Sequence, residues 1–100
     1  MARIIWTEPA LQELDEIADY ISLDSPIAAK KLVREAFKRV DHLALHPKSG
    51  KLVEEFEVSV YRENILPPCR IFYRLSGEIV YIIHVIREEQ LLHLDILKSR

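Results

Sequence analysis

The hydrophobic residues of this chain change period at its midpoint, and that change does most to limit how it can fold. In the first half, Leu11, Leu14, Ile17, Ala18 and Ile21 recur at steps of three and four, as do Ala29, Leu32, Val33, Ala36, Phe37, Val40 and Leu43. Each set paints a stripe along one α-helix. In the second half, Phe56, Val58 and Val60 alternate with Glu57, Ser59 and Tyr61, the two-residue period of a strand covered on one face. His46–Pro47–Lys48–Ser49–Gly50 separates the two regimes. Helices first and strands after point to an α+β domain, with the helices gathered on one face of an antiparallel sheet.

Local signals set the element boundaries. Ile4, Ile5 and Trp6 make Ala2–Trp6 a short strand. Thr7 is a helix N-cap, and Glu8 and Pro9 suit the first turn, where an acid meets the dipole and a missing N–H costs nothing. Asp24–Ser25–Pro26 stops the first helix near Leu23 and starts a second, with Ser25 as cap, that reaches about Leu45. A strand is expected at Phe56–Tyr61. Pro67–Pro68 excludes paired backbone, so the next strand starts near Cys69 and runs to Leu75. Ser76–Gly77 is the expected hairpin turn, followed by a last strand Glu78–Arg87. Leu91, Leu92, Leu94, Asp95, Ile96 and Leu97 suit a terminal helix. The expected order is βααβββα within one domain, residues 1–100. Placing Leu75 opposite Glu78 pairs Arg74 with Ile79, Phe72 with Tyr81 and Arg70 with Ile83. It also puts Arg70, Phe72 and Arg74 together on the sheet face away from the helices.

Charge narrows the function classes. Fourteen Lys and Arg against sixteen Asp and Glu give a formal −2, which argues against a nucleic-acid coat protein and against direct sequence-specific DNA binding by this chain. A chain of 100 residues builds a thin core, so a partner chain is expected to contribute stability. The single cysteine, Cys69, excludes an internal disulfide. The longest apolar run, Ile79 to Ile86, is far shorter than a membrane span, and Met1–Thr7 lacks the apolar core of a signal peptide. A soluble, cytoplasmic protein with no membrane association is expected. Within the chain, acids populate Glu8 to Asp24, and Lys30, Lys31, Arg34, Lys38 and Arg39 follow. The simplest reading is two helices that attract each other across a hairpin.

Few residues point to chemistry. Arg62, Arg70, Arg74 and Arg87, with Lys48 and Lys51, can converge on the open sheet face and hold phosphates or carboxylates. The alternative is scattered arginines that serve solubility and edge protection. His42 and His46 share a helix face, but Leu43 stands where a zinc-protease helix needs Glu. No metal site and no cofactor is expected. Cys69 beside Arg70 invites a lowered thiol pKa, without any nucleophile motif around it. His84, in an apolar strand, reads as a hydrogen-bonded core histidine. The stripe Leu91, Leu92, Leu94 and Leu97 is either core or partner surface.

An ordered set of residues resembles a known family. Trp6–Thr7–Glu8–Pro9–Ala10 leads into Leu14, Ile17 and Tyr20–Ile21. Pro26, Ala28–Ala29, Leu43, Pro47 and Gly50 follow, then Tyr61–Arg62–Glu63, Arg70–Ile71–Phe72–Tyr73–Arg74 and Ile82–Ile83–His84–Val85. The pattern covers nearly the whole chain and resembles the ParE/RelE superfamily of type II toxin–antitoxin toxins, most closely the ParE branch. The resemblance implies a helical hairpin packed on an antiparallel sheet. It also implies a ParD-like antitoxin in a hetero-oligomer of 2:2 or larger, and DNA gyrase as the target. In the RelE branch, toxins are instead ribosome-dependent mRNA endonucleases. Arg70 matches the arginine that opens the penultimate strand in both branches, and Arg87 lies near the late basic position. RelE-like nucleases carry a further arginine and a tyrosine after the last strand, whereas this chain reads Arg87–Glu88–Glu89–Gln90. Gyrase inhibition without chemistry of its own is therefore the favoured expectation. A nuclease is the alternative, and an antitoxin-bound domain that has lost toxicity is a third. The target-contacting candidates are Arg70, Arg74, Arg87, Leu91, Leu94 and Leu97, with Lys48, Lys51 and Arg62 as secondary basic groups. Arg70 is expected to face solvent, so that its loss costs little stability.

Overall fold

Thr7 decides where the chain leaves the sheet and becomes helix. Its backbone N–H donates to the Ile82 carbonyl at 2.9 Å and its hydroxyl donates to the same oxygen at 2.8 Å. The hydroxyl also accepts from the Ala10 N–H at 3.4 Å, capping the first helix. A computed structural model describes residues 1–55 and 60–100. Their elements are β1 (Arg3–Trp6), α1 (Glu8–Ser22), α2 (Pro26–His42), β2 (Lys51–Leu52), β3 (Tyr61–Leu66), β4 (Cys69–Ser76), β5 (Ile79–Arg87) and α3 (Leu94–Ser99). Ser25 caps α2 by accepting from the Ala28 N–H at 3.1 Å, with Pro26 at the first helical position as expected.

The five strands lie in the order β1-β5-β4-β3-β2. β1 runs parallel to β5, and the other neighbours are antiparallel. The parallel pair forms because two helices and three strands intervene between β1 and β5, returning the chain in the same direction. Most of the expected strand at Phe56–Tyr61 lies outside the described residues. β3 begins at Tyr61 and continues to Leu66, so paired backbone extends to Pro67–Pro68, which are joined by a cis peptide bond and form the turn into β4. Lys51–Leu52 supplies a further short edge strand that the sequence pattern did not reveal.

The β4–β5 register differs from the expected one. Ser76 pairs with Ile79, so the turn is Gly77–Glu78, one residue later than Ser76–Gly77. Gly77 has φ +60°, and a glycine at the first turn position relieves the strain that conformation imposes on other residues. Arg74 accordingly faces Tyr81 rather than Ile79. A shift of two preserves which face each side chain takes, so Arg70, Phe72 and Arg74 still share the face away from the helices. A bulge between Phe72 and Tyr73 then moves the register again, pairing Phe72 with His84 and Arg70 with Ile86.

Two apolar clusters flank the sheet. The larger joins Leu14 and Ile17 of α1 and Leu32, Ala36 and Val40 of α2 to Ile71, Tyr73, Val80 and Ile82. The smaller, on the opposite face, joins Val53, Phe72, Ile83 and Ile86 to Leu97 of α3. Tyr73 carries a polar tip into the larger cluster. Its hydroxyl donates to the Pro47 carbonyl and accepts from the Gly50 N–H, both at 2.9 Å, so it fixes the loop between helices and sheet. Burial pushes the Tyr73 hydroxyl pKa up, against the lowering effect of the Gly50 N–H and the Arg62 charge.

A Cβ on Gly50 would stand 2.5 Å from the Tyr73 oxygen and 2.8 Å from the Glu63 carbonyl. Gly50→Ala should therefore lower the melting temperature, with a cost of about 1–3 kcal/mol for overpacking. Ile71→Ala, at a fully buried position, should cost about 2–5 kcal/mol. Thermal and urea unfolding of the two variants check both values, and an unchanged Gly50→Ala midpoint would contradict the close approach.

Candidate functional site

Strand alternation divides the basic residues instead of gathering them. Pairing places Arg70, Arg74 and Lys51 on the face away from the helices. Arg62 pairs with Tyr73 and Arg87 with Cys69, which puts both on the helix side. The expected six-member basic cluster is therefore not formed. Arg62 instead donates to the carbonyls of Lys48 at 3.2 Å and Gly50 at 2.8 Å, bracing the loop that Tyr73 also holds. Lys48 takes part through its backbone, and its side chain is exposed.

Arg70 is the centre of the open face, and it is not a free solvent-facing group. Its Nε donates to Glu63 Oε2 at 2.6 Å, and its Nη atoms reach the Glu55 carboxylate at 3.2 Å. The guanidinium also lies 4.8 Å from the centre of the Phe72 ring. Glu63 sits diagonally across from Arg70 on β3, and its side chain is only 3% exposed. Lys51, paired with Glu63 across β2–β3, approaches it at 4.0 Å and binds Glu54 at 3.2 Å. Burial pulls the Arg70 pKa down, but the Glu63 hydrogen bond and the Glu63 and Glu55 charges outweigh it and raise the value. Arg70 is thus a neutralised, held cation. Arg74 stacks 4.3 Å over the Tyr81 ring.

The tail divides as well. Leu97 is fully buried in the smaller cluster, Leu94 is half-buried, and Leu91 is 82% exposed. Of the three leucines, only Leu91 offers open surface. Arg87 pairs with Glu89 at 3.2 Å and lies 4.8 Å over the Tyr20 ring. Between α1, the far half of β5 and the tail opens a cavity of about 640 Å³, lined among others by Glu13, Tyr20, His84, Arg87, Leu91 and Ile96. Here β5 runs past the end of β1, and side chains bond the exposed strand edge. Glu13 accepts from the Val85 N–H at 3.2 Å, Gln90 accepts from the Arg87 N–H at 2.8 Å, and Arg100 donates to the Ile83 carbonyl at 2.9 Å. Burial raises the Glu13 pKa, yet hydrogen bonds from His84 and Arg100 more than compensate and hold it below its ordinary range.

Other candidates resolve differently. His84 is buried and hydrogen-bonded, as its apolar strand suggested. The Cys69 thiol is pushed up to about 11, mainly by burial and then by the Glu88 and Glu89 charges, so the neighbouring arginine does not activate it. The His42 and His46 rings pack 4.8 Å apart, and among the described residues no cluster of metal-ligating side chains forms. No ion pair joins α1 to α2 among the described residues, so the hairpin charges form two solvated faces rather than direct pairs. Their charges point outward. Glu63, Glu13 and Arg100 were missed as participants. Glu63 was legible only through β3, whose alternation shares a face with Arg70; a terminal arginine carries no sequence signal.

Comparison with known proteins places this geometry. Residues 4–92 match the family model described as the ParE toxin of the type II toxin–antitoxin system parDE. A protein named Toxin RelE2 from Caulobacter vibrioides is 34% identical over 86 residues, covering 85% of this chain and 93% of the relative. A Sinorhizobium fredii protein named Putative toxin Y4kP is 41% identical over 86 residues, covering 82% and 86%. A chain from the chromosomal ParDE toxin–antitoxin system of P. aeruginosa superposes with TM-score 0.71 at 29% identity, covering 89% of this chain and 98% of that one. A chain of the RelBE2 complex from Mycobacterium tuberculosis shares the fold, with TM-score 0.58 at 19% identity over 87% and 98%.

The ion-pair network makes Arg70 structural. Arg70→Ala leaves the Glu63 carboxylate buried beside a lysine 4.0 Å away and should cost about 3 kcal/mol, far above an exposed-surface change. A double change, Arg70→Met with Glu63→Leu, should recover most of that loss. Urea unfolding of the single and double variants measures the difference; equal midpoints for wild type and Arg70→Ala would refute the buried pair.

Proposed function

We propose that this chain, which belongs to the ParE toxin family of type II toxin–antitoxin systems, inhibits DNA gyrase by binding and carries out no chemistry of its own. The observation that carries this reading is the state of Arg70. A nuclease needs a cation free to meet developing phosphate charge and an acid–base pair beside the scissile bond. Arg70, where the family resemblance puts the basic group, is bonded to Glu63 and Glu55. Arg87 is turned towards α1 and paired with Glu89. The cytoplasm, where gyrase and chromosome are found, is the corresponding location.

A ParD-like antitoxin is the corresponding partner, in a 2:2 or larger complex. The hairpin supplies a surface for it. An apolar groove between α1 and α2 is lined by Ala18, Ala29 and Val33, with Lys30 and Arg34 on the α2 side and Asp19 on the α1 side, and Leu23 and Ile27 of the same hairpin are more than 80% exposed. An amphipathic antitoxin helix with acidic flanks fits this combination. The ribosome-dependent nuclease is kept as a second reading because a relative at 34% identity is named a RelE toxin.

Two assays separate these readings. Purified protein is added to gyrase with relaxed plasmid, and to a translating ribosome with message. Lost supercoiling with intact message is expected; codon-specific cuts with normal supercoiling would replace gyrase by the ribosome. Co-expression with the product of the neighbouring gene should yield a stable complex at micromolar concentration. Lys30→Glu with Arg34→Glu should weaken it without lowering the toxin's own melting temperature.

A further inference from the structure

We propose that the hairpin end of the open sheet face is the surface that meets the target, and that it receives an acidic protein segment whose carboxylate docks on Arg74. The inference rests on the gyrase reading only for which protein carries that segment. Strand pairing assembles the surface. Ile5 of β1 pairs with Tyr81 of β5, Tyr81 with Arg74 of β4, and Arg74 with Tyr61 of β3. Arg3 pairs with Ile79 in the adjacent row. Paired residues share a face, so these side chains lie together opposite the helices. Arg3 is exposed, and the others are half-buried.

Arg70 and Arg74 stand four residues apart on one strand and one face, yet only Arg70 meets carboxylates. Glu63 and Glu55 neutralise it, and Leu97 and Val53 cover the neighbouring Phe72, Ile83 and Ile86. Towards the hairpin turn the acids stop. Among the described residues neither Arg3 nor Arg74 forms an ion pair. Glu78, in the turn beside Ile79, pairs with neither. The hydrogen bond of Arg74 is a long one, 3.5 Å to the Arg100 carbonyl. Its guanidinium lies 4.3 Å from the centre of the Tyr81 ring. Stacking on the ring holds the planar fork in place without using up its donors.

These are the features of a binding hot spot. Tyrosine and arginine dominate such sites, in partly sheltered positions that exclude water around a charged contact. A fork already held in place loses less freedom when a carboxylate arrives, so more of the interaction survives as affinity. A nucleic-acid strand fits less well. Two cations neutralise too few phosphates to hold one, and Glu54, Glu55 and Glu63 surround the far end of the same face. A short acidic stretch of protein needs only the near end, with its apolar neighbours against Ile5, Ile79 and the tyrosine rings.

Binding of the purified full chain to intact gyrase, measured by surface plasmon resonance, tests this together with growth arrest on induction. Arg74→Glu and Arg3→Glu should each weaken gyrase binding by about tenfold or more and relieve the arrest. Arg3 is exposed, so the thermal midpoint of Arg3→Glu should match wild type and exclude unfolding as the cause. Lys38→Glu makes the same charge change on α2 and should bind and arrest like wild type. A wild type that arrests growth without binding gyrase refutes the gyrase reading alone, and the variants then decide the surface through growth. Full arrest by Arg74→Glu or by Arg3→Glu overturns the proposal, as does an equal loss in Lys38→Glu. A wild type that neither binds nor arrests overturns both. Arg74-dependent binding to a single-stranded oligonucleotide, with gyrase binding unaffected by Arg74→Glu, would assign the surface to nucleic acid instead.

Discussion

The structure depends on β5 being covered on every side. Val80 and Ile82 enter the helix-side cluster, and Ile83 and Ile86 the opposite one. One backbone edge belongs to β4; the other is shared between β1 and side chains. β1 ends at Trp6, where Thr7 spends its N–H and hydroxyl on the last carbonyl it can reach. Beyond that point Glu13, Gln90 and Arg100 bond groups that a neighbouring strand would otherwise satisfy. Unpaired backbone in a buried strand is costly, so this substitution ties α1 and the tail to the sheet. β1, α1 and the tail therefore meet on β5.

Much of the architecture was legible because its signals are local. The caps Thr7 and Ser25, the prolines behind them and the two apolar stripes act within a few residues. What escaped was what depends on distant chain. β2 has only two residues, too few to show a period. β3 reads Tyr61–Arg62–Glu63–Asn64–Ile65–Leu66, with a buried glutamate in its middle; hydrophobic alternation cannot find a strand whose inner position holds a charge. The hairpin turn was misplaced by one residue because Ser-Gly and Gly-Glu are both acceptable turns, and the positive φ of Gly77 decides between them.

The site was less legible for a related reason. Alternation placed Arg70 and Arg74 on the correct face, but counting arginines says nothing about the acids beside them. Glu63 and Glu55 turn Arg70 from an available cation into part of the sheet's framework. The terminal leucines separate in the same way, since Leu97 belongs to a core that exists only because Val53 and β5 meet there. A resemblance across the family indicates which positions matter. Only the surrounding partners show whether a position binds another molecule or holds this one together.

The outward segregation of charge on the helical hairpin has a kinetic consequence. Lys30, Lys31, Arg34 and Lys38 are exposed on α2, while Asp15, Glu16 and Asp19 are exposed on α1. Despite a formal charge of only −2, the molecule is electrically polarised at the surface. An acidic partner approaching through solvent experiences a torque as well as an attraction, and arrives with the basic helix already turned towards it. Such steering raises encounter rates by about 10- to 1,000-fold and fades as salt shortens the Debye length. For a surface of this kind, speed of encounter is a separate quantity from tightness of binding.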